Sequence, residues 1–270
     1  MVPRTPQYLP DPRKETMLDL TPGLIAILVA CALMCGLAKT ALPGLACIPV
    51  AILAAVMPTR PSTALMLLML LTGDLLAIWT YRRDADWKVL RGLFPPVAVG
   101  VAIGAVFLAK VSNQVMKVSI GIIILALTAL TLGLIWYARR TGHDLAASMS
   151  TSLPARLFYG SLSGFTTMAA NSGGPVVSLY FLASRFEVRR FMGTQAWFFF
   201  IVNLLKLPFS AGIGLIDRQM LLIALCLAPL VLGAAVLGRW WIGRIDNKIF
   251  DPIVTCLLYT SPSPRDATLS

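Results

Sequence analysis

Two passages constrain this chain more than any other feature. Gly36-Leu37-Ala38-Lys39-Thr40-Ala41-Leu42-Pro43-Gly44 lies between two apolar runs, and Gly164-Phe165-Thr166-Thr167-Met168-Ala169-Ala170-Asn171-Ser172-Gly173-Gly174-Pro175 lies in the same setting about 130 residues later. Each interrupts a stretch from which an unbroken membrane helix would be easy to build. Gly and Pro there release backbone amides and carbonyls, which costs several kcal/mol per unmet group in lipid unless the broken backbone lines a polar cavity. Two breaks, one in each half, point to a transporter's substrate site at a repeat interface.

Composition decides the solvent. With 57% hydrophobic and 13% charged residues, most of the chain is matched to lipid. The net charge of +11 is spread over short clusters between apolar runs, as in loops at a membrane face, which argues against a nucleic-acid partner. The five cysteines, Cys31, Cys35, Cys47, Cys226 and Cys256, sit in or beside apolar segments without metal-ligand spacing, and they read as small apolar packing residues. Cys31 and Cys35 share a helix face, which leaves thiol sensing open. His143 is the one histidine, so neither a catalytic triad nor a His-rich metal site can be assembled. No enzyme activity and no cofactor are expected.

In chain order, residues 1–20 form an extramembrane tail rich in Pro and charge. A first membrane repeat over 21–137 starts with the apolar run Thr21 to Ala38, the break at Lys39 to Gly44 and the piece Leu45 to Met57, which is shorter than the roughly 20 residues a span needs. A re-entrant hairpin or a pair of short tilted helices is the expectation. Three spans follow at Ser62 to Tyr81, Leu93 to Ala109 and Val115 to Tyr137. Gly100 and Gly104 mark close helix packing in the middle one.

After a basic loop at 138–154, a second repeat over 155–255 restarts the pattern. An interrupted pair occupies 155–184, and Gly193 to Phe209, Met220 to Trp241 and Ile249 onward match the three spans. Thr63 pairs with Thr194, Asp86 with Asp217, Pro96 with Pro229 and Gly100 with Gly233, which supports an internal repeat. Three crossings per repeat make the second half inverted. Residues 256–270 read as a non-native tail standing where the last span should be, so that span is expected to be incomplete.

Sorting the loops by parity puts Arg82, Arg83, Lys88, Arg91, Arg139 and Arg140 with the basic residues of 156–190 and 239–248 on one face, which is cytoplasmic by the positive-inside rule. The N-terminus is then outside. Trp79, Trp87, Trp136, Trp240 and Trp241 lie near segment ends and read as interface anchors.

Few strongly polar groups lie inside the apolar spans: Lys39, Asp74, Asn171, Asn203 and Lys206. Each costs enough there to be a functional candidate. Lys39 beside freed amides and the Thr40 hydroxyl makes a site for a small anion, with a snorkelling lysine as the alternative. Asp74 pairs with Lys39 or Lys206 and leaves about one positive charge, or it is a packing ion pair, or it is a proton-carrying carboxylate. Asn171, Ser172 and Gly173 offer an amide and bare backbone at the second break, although a helix-ending turn would use the same residues. The substrate-binding set is therefore Lys39, Thr40, Gly44, Asn171, Ser172, Gly173 and Lys206, with Asp74 and Asn203 for charge balance or coupling.

The run Gly36 to Gly44, the span Ser62-Thr63 to Gly73-Asp74 followed by Tyr81 to Trp87, the run Gly164 to Pro175, and Gly193 to Phe199 with Asn203 to Pro208 resemble the TauE/SafE sulfite exporter family over about residues 20–255. The resemblance implies an all-α polytopic inner-membrane transporter with two inverted repeats, moving sulfite, organosulfonates or related small anions. The expected partners are that anion and the bilayer, with a homodimer left open. A proton- or cation-coupled uptake permease centred on Asp74, or a non-transporting membrane assembly or sensor protein, would be the other readings.

Overall fold

The computed structural model describes residues 20–40, 45–141, 153–183 and 188–242. Among them there is helix and no strand. In chain order the helices are α1 (Pro22–Thr40), α2 (Cys47–Val56), α3 (Thr59–Tyr81), α4 (Trp87–Lys110), α5 (Asn113–Thr141), α6 (Leu153–Ala170), α7 (Gly174–Ala183), α8 (Val188–Gly212) and α9 (Arg218–Ile242). Four of them, α1, α3, α4 and α9, are long and apolar enough to cross a membrane. Their outward faces carry large apolar side chains, among them Leu75, Val99, Ile103 and Leu225, as does α5 with Ile122 and Leu125. Water would not tolerate so continuous an apolar exterior; lipid does.

α1 runs two residues into the break expected from Lys39, and the run that starts at Gly164 is still helical for its first seven residues. Gly36 and Gly164 lie inside α1 and α6, which run on to Thr40 and Ala170. Both glycines serve close packing. A Cβ at Gly36 would fall on the Val231 carbonyl oxygen and lie 2.9 Å from Ala235 N in α9. One at Gly164 would fall on the Val97 carbonyl oxygen and lie 3.0 Å from Val101 N in α4. Only a bare α-carbon admits helix backbones this close.

These two contacts repeat one pattern, in which the first helix of each half packs against the fourth helix of the other half. α1 lies along α9 and α6 along α4, while α3 and α8 face each other in the middle. The glycine contacts set Val97 against Val231 and Val101 against Ala235 in this pattern, a register that pairs Pro95, and not Pro96, with Pro229. Gly100 likewise pairs with Ala234. Gly233 has nothing within 4 Å of its missing Cβ, whereas Gly100 sits on the Ser161 carbonyl and Phe165 N. The other two sequence pairings coincide with matching local roles. Thr63 and Thr194 each donate a hydroxyl to the carbonyl four residues back, and Asp86 and Asp217 each accept the backbone N–H three residues on, capping α4 and α9. Asp86 also accepts from Lys88 N, which starts α4 six residues before the expected Leu93.

Within each interrupted pair the first member is full length, with 19 residues in α1 and 18 in α6. The second is short, with 10 residues in both α2 and α7. At 1.5 Å per residue each short helix reaches only about 15 Å, half of a hydrocarbon core. The pairs are thus neither two short helices nor two ordinary spans. The final span and residues 256–270 lie outside the described residues.

Candidate functional site

The described part of the second break consists of Asn171, Ser172 and Gly173. Asn171 has φ +50°, the left-handed conformation that ends α6. Gly173 lets α7 start against α6, where a Cβ would meet Ser163 O and Thr167 at 2.8 Å. In the first break only the turn at Leu45-Ala46 is described; Gly44 lies outside the described residues.

The two breaks face a common cavity of about 60 Å³, lined by Ala38, Lys39, Cys47, Asp74, Thr167, Asn171, Ser172, Gly174, Gln195, Phe199 and Asn203 among others. A water needs roughly 10–15 Å³ of such space, so the hollow holds a group of about four or five non-hydrogen atoms. Cys47 and Gly174 are the first residues of α2 and α7, so two helix N-termini open on it with the positive ends of their dipoles. Each short helix also carries a proline in its first turn, Pro49 and Pro175, where no intrahelical N–H is lost.

Along the cavity wall runs a polar chain that joins α1, α3 and α8 to the end of α6. Lys39 Nζ in α1 meets Asp74 Oδ1 in α3 at 2.5 Å. Asn203 Nδ2 in α8 donates to Asp74 Oδ2 at 2.6 Å. Lys206 Nζ, one turn further along α8, donates to Asn171 Oδ1 at 2.5 Å and to Asn203 Oδ1 at 3.4 Å. Asn171 Nδ2 donates to the Thr63 carbonyl in α3 at 3.1 Å. Asp74, Asn203 and Lys206 are essentially solvent-free, while the Lys39 side chain keeps 10% exposure. Lys39 Nζ also sits 4.8 Å from the Phe199 ring centre, and its stem rests on Gly73, where a Cβ would come within 2.9 Å of Cγ. With both lysines and the aspartate ionised, the cluster carries one surplus positive charge.

The structure sorts the residues expected at the site. Lys39, Asp74, Asn171, Ser172 and Asn203 line the cavity. Thr40 does not: its hydroxyl donates to the Ala235 carbonyl at 2.9 Å, tying α1 to α9. Gly173 shapes the turn, and Lys206 lies one layer back behind the two asparagines. Asn171 is engaged at both ends of its amide, Nδ2 with the Thr63 carbonyl and Oδ1 with Lys206, so it ties Lys206 and α3 to the second break. Asp74 pairs with Lys39, not with Lys206.

Sequence reasoning missed Gln195, Phe199 and Cys47. Gln195, Phe199 and Asn203 recur every four residues along one face of α8, a stripe that the polarity of Gln195 and Asn203 could have revealed. Cys47 was set aside as packing, yet it lies at the mouth of α2 within reach of the Ser172 hydroxyl, where the two breaks meet. Trp87 is more than an interface anchor, because its ring lies 4.9 Å from that of Trp197.

No curated protein and no solved structure matches the chain. The family described as Sulfite exporter TauE/SafE matches residues 28–261, running past residue 255, where the sequence reading ends the second repeat. With the full-length apolar helices, the lipid-matched exterior and a match over most of its length, the chain belongs to the TauE/SafE sulfite exporter family of membrane transporters.

Proposed function

We propose that this protein exports small anions of the sulfite and organosulfonate type across the inner membrane by alternating access around the cavity between the two breaks. The observation that carries the reading is the enclosed cluster of two ammonium groups and one carboxylate beside two helix N-termini. A surplus positive charge in an apolar interior is costly unless a counter-charge meets it, and an anion in the cavity supplies one. Lys39 is the charged donor that reaches the cavity; Ser172, Gln195 and the N-terminal ends of α2 and α7 complete its polar lining.

The exchanged packing of α1 with α9 and of α6 with α4 supports two inverted repeats, the architecture in which alternating access is common. In this orientation the basic loops are cytoplasmic and the N-terminus is outside. The inside-negative potential then drives an anion outward by roughly 2.3 kcal/mol per charge per 100 mV. Asp74 is held by Lys39 on one oxygen and Asn203 on the other, which favours a fixed counter-charge over a shuttling carboxylate.

Flux of labelled sulfite and small sulfonates in proteoliposomes tests the reading. Anion efflux that responds to membrane potential and is lost in Lys39→Met is the expected result. Transport of neither class by the wild-type protein would refute it.

A further inference from the structure

Lys206 is buried outside the lining of the cavity. Its nearest partners are the two amide oxygens of Asn171 and Asn203, which favour a charged donor. Asn171 Nδ2 donates to the Thr63 carbonyl and Asn203 Nδ2 donates to the Asp74 carboxylate, and neither acceptor has a hydrogen to return. Both amide oxygens must therefore turn to Lys206, which faces two acceptors and needs to donate to each. An ammonium donates to both, and each charge-assisted bond is stronger than the one a neutral amine would make.

Resting on the anion reading above, we propose that the site selects singly charged anions over doubly charged ones, with Lys206 supplying the one unit of charge that the substrate balances. Lys39 and Asp74 neutralise each other across 2.5 Å. The charged groups facing Asp74 are Lys39 from α1 and Lys206 from α8. Lys206 is then the unmatched charge, so a monoanion such as a sulfonate or hydrogensulfite brings the enclosed cluster to neutrality. A dianion overshoots by one unit next to the Asp74 carboxylate, which has no spare donor. The cavity's size suits either kind of tetrahedral or pyramidal oxyanion, so the discrimination comes from charge and not from shape. Lys206 is in this sense a positioning residue, acting through Asn171 and Asn203.

The test is binding of methanesulfonate and sulfate to the purified full chain, two ions of similar size whose charges do not change between pH 6 and 8. The wild-type protein should prefer methanesulfonate by at least about tenfold, because the cost of desolvating an ion grows with the square of its charge while the attraction of one surplus positive charge grows only in proportion to it. Asp74→Asn raises the cluster by one charge and should shift the ratio toward sulfate on the order of a hundredfold, the factor that one unit charge carries at about 6 Å with an effective dielectric near 20. Lys206→Gln should weaken methanesulfonate, and Lys206→Arg should keep the wild-type ratio. Equal affinities, or a sulfate preference, in the wild-type protein would overturn the inference without any variant, as would an Asp74→Asn protein that binds with an unchanged ratio. Failure of the wild-type protein to bind or transport either ion would overturn the anion reading itself and this inference with it.

Discussion

Replacing Lys39 by Met separates what the Lys39–Asp74 pair does for the fold from what it does for transport. Asp74 is wholly buried, and its Oδ1 has the Lys39 ammonium alone as partner. Once that ammonium is gone, a charged carboxylate remains in an apolar interior with one amide donor from Asn203. Breaking one side of a buried pair costs about 3–5 kcal/mol, because the surviving charge stays desolvated. Asp74→Asn should cost a similar amount from the other side, less whatever Lys39 regains through its 10% exposure and the Phe199 face. The double variant Lys39→Met with Asp74→Asn removes both charges, so most of the loss should return, to within about 1–2 kcal/mol of the wild-type protein. Reversible unfolding in mixed micelles measures the three stabilities, and sulfonate flux in proteoliposomes measures transport. Flux should fall at least tenfold in Lys39→Met and stay low in the double variant, because the Lys206 charge reaches the cavity only through two amide groups. A double variant that recovers both stability and flux would show the pair to be a packing device and would refute the role given to Lys39.

Three further outcomes follow from the packing and the cavity. Gly36→Val would drive a side chain into the α9 backbone and should cost about 3 kcal/mol or prevent assembly, whereas Gly233→Ala meets open space and should lie within about 0.5 kcal/mol of the wild-type protein; unfolding titrations of the pair check this. Gly73→Ala should displace the Lys39 stem and reduce sulfonate flux severalfold while costing only about 1 kcal/mol, since what must move is a flexible side chain; paired flux and stability measurements decide it. In a protein whose other cysteines are replaced, Cys47 should react with an anionic thiosulfonate reagent and be protected by methanesulfonate; Cys31 or Cys35 alone, both fully buried, should stay unlabelled in the native state by mass spectrometry.

Much of this fold is written in the hydrophobic runs. Lipid leaves few choices for a stretch such as Ser62 to Tyr81, so element type and order follow from composition and length alone. Boundaries depend on finer chemistry. The Asp86 cap that starts α4 at Trp87 lies in a charged stretch that reads as loop until its oxygen is seen accepting two amides. The glycines at 36 and 164 misled because a glycine that breaks a helix and a glycine that admits another helix look alike in one dimension; only the presence of α9 and α4 tells them apart.

The site was legible in the same uneven way. The cost of burying Lys39, Asp74, Asn171, Asn203 and Lys206 singled them out, and they form one connected network. Which of them pair was not legible, since Lys39 and Lys206 are equally good partners for Asp74 until the helices are placed. Thr40 and Ser172 illustrate the limit. Both are small hydroxyls at a break, yet one faces the Ala235 carbonyl and the other the hollow.

The glycine contacts between α1 and α9, and between α6 and α4, carry a mechanical meaning. Backbones touching without intervening side chains cannot slide or tilt independently, so each such couple travels as a single strut made from both halves of the chain. Any rocking that exposes the hollow first to one side and then to the other must therefore shear strut against strut along the central α3 and α8, rather than swing the amino-terminal half against the carboxy-terminal half. A seam opened in that way would not be the boundary between the two halves of the sequence.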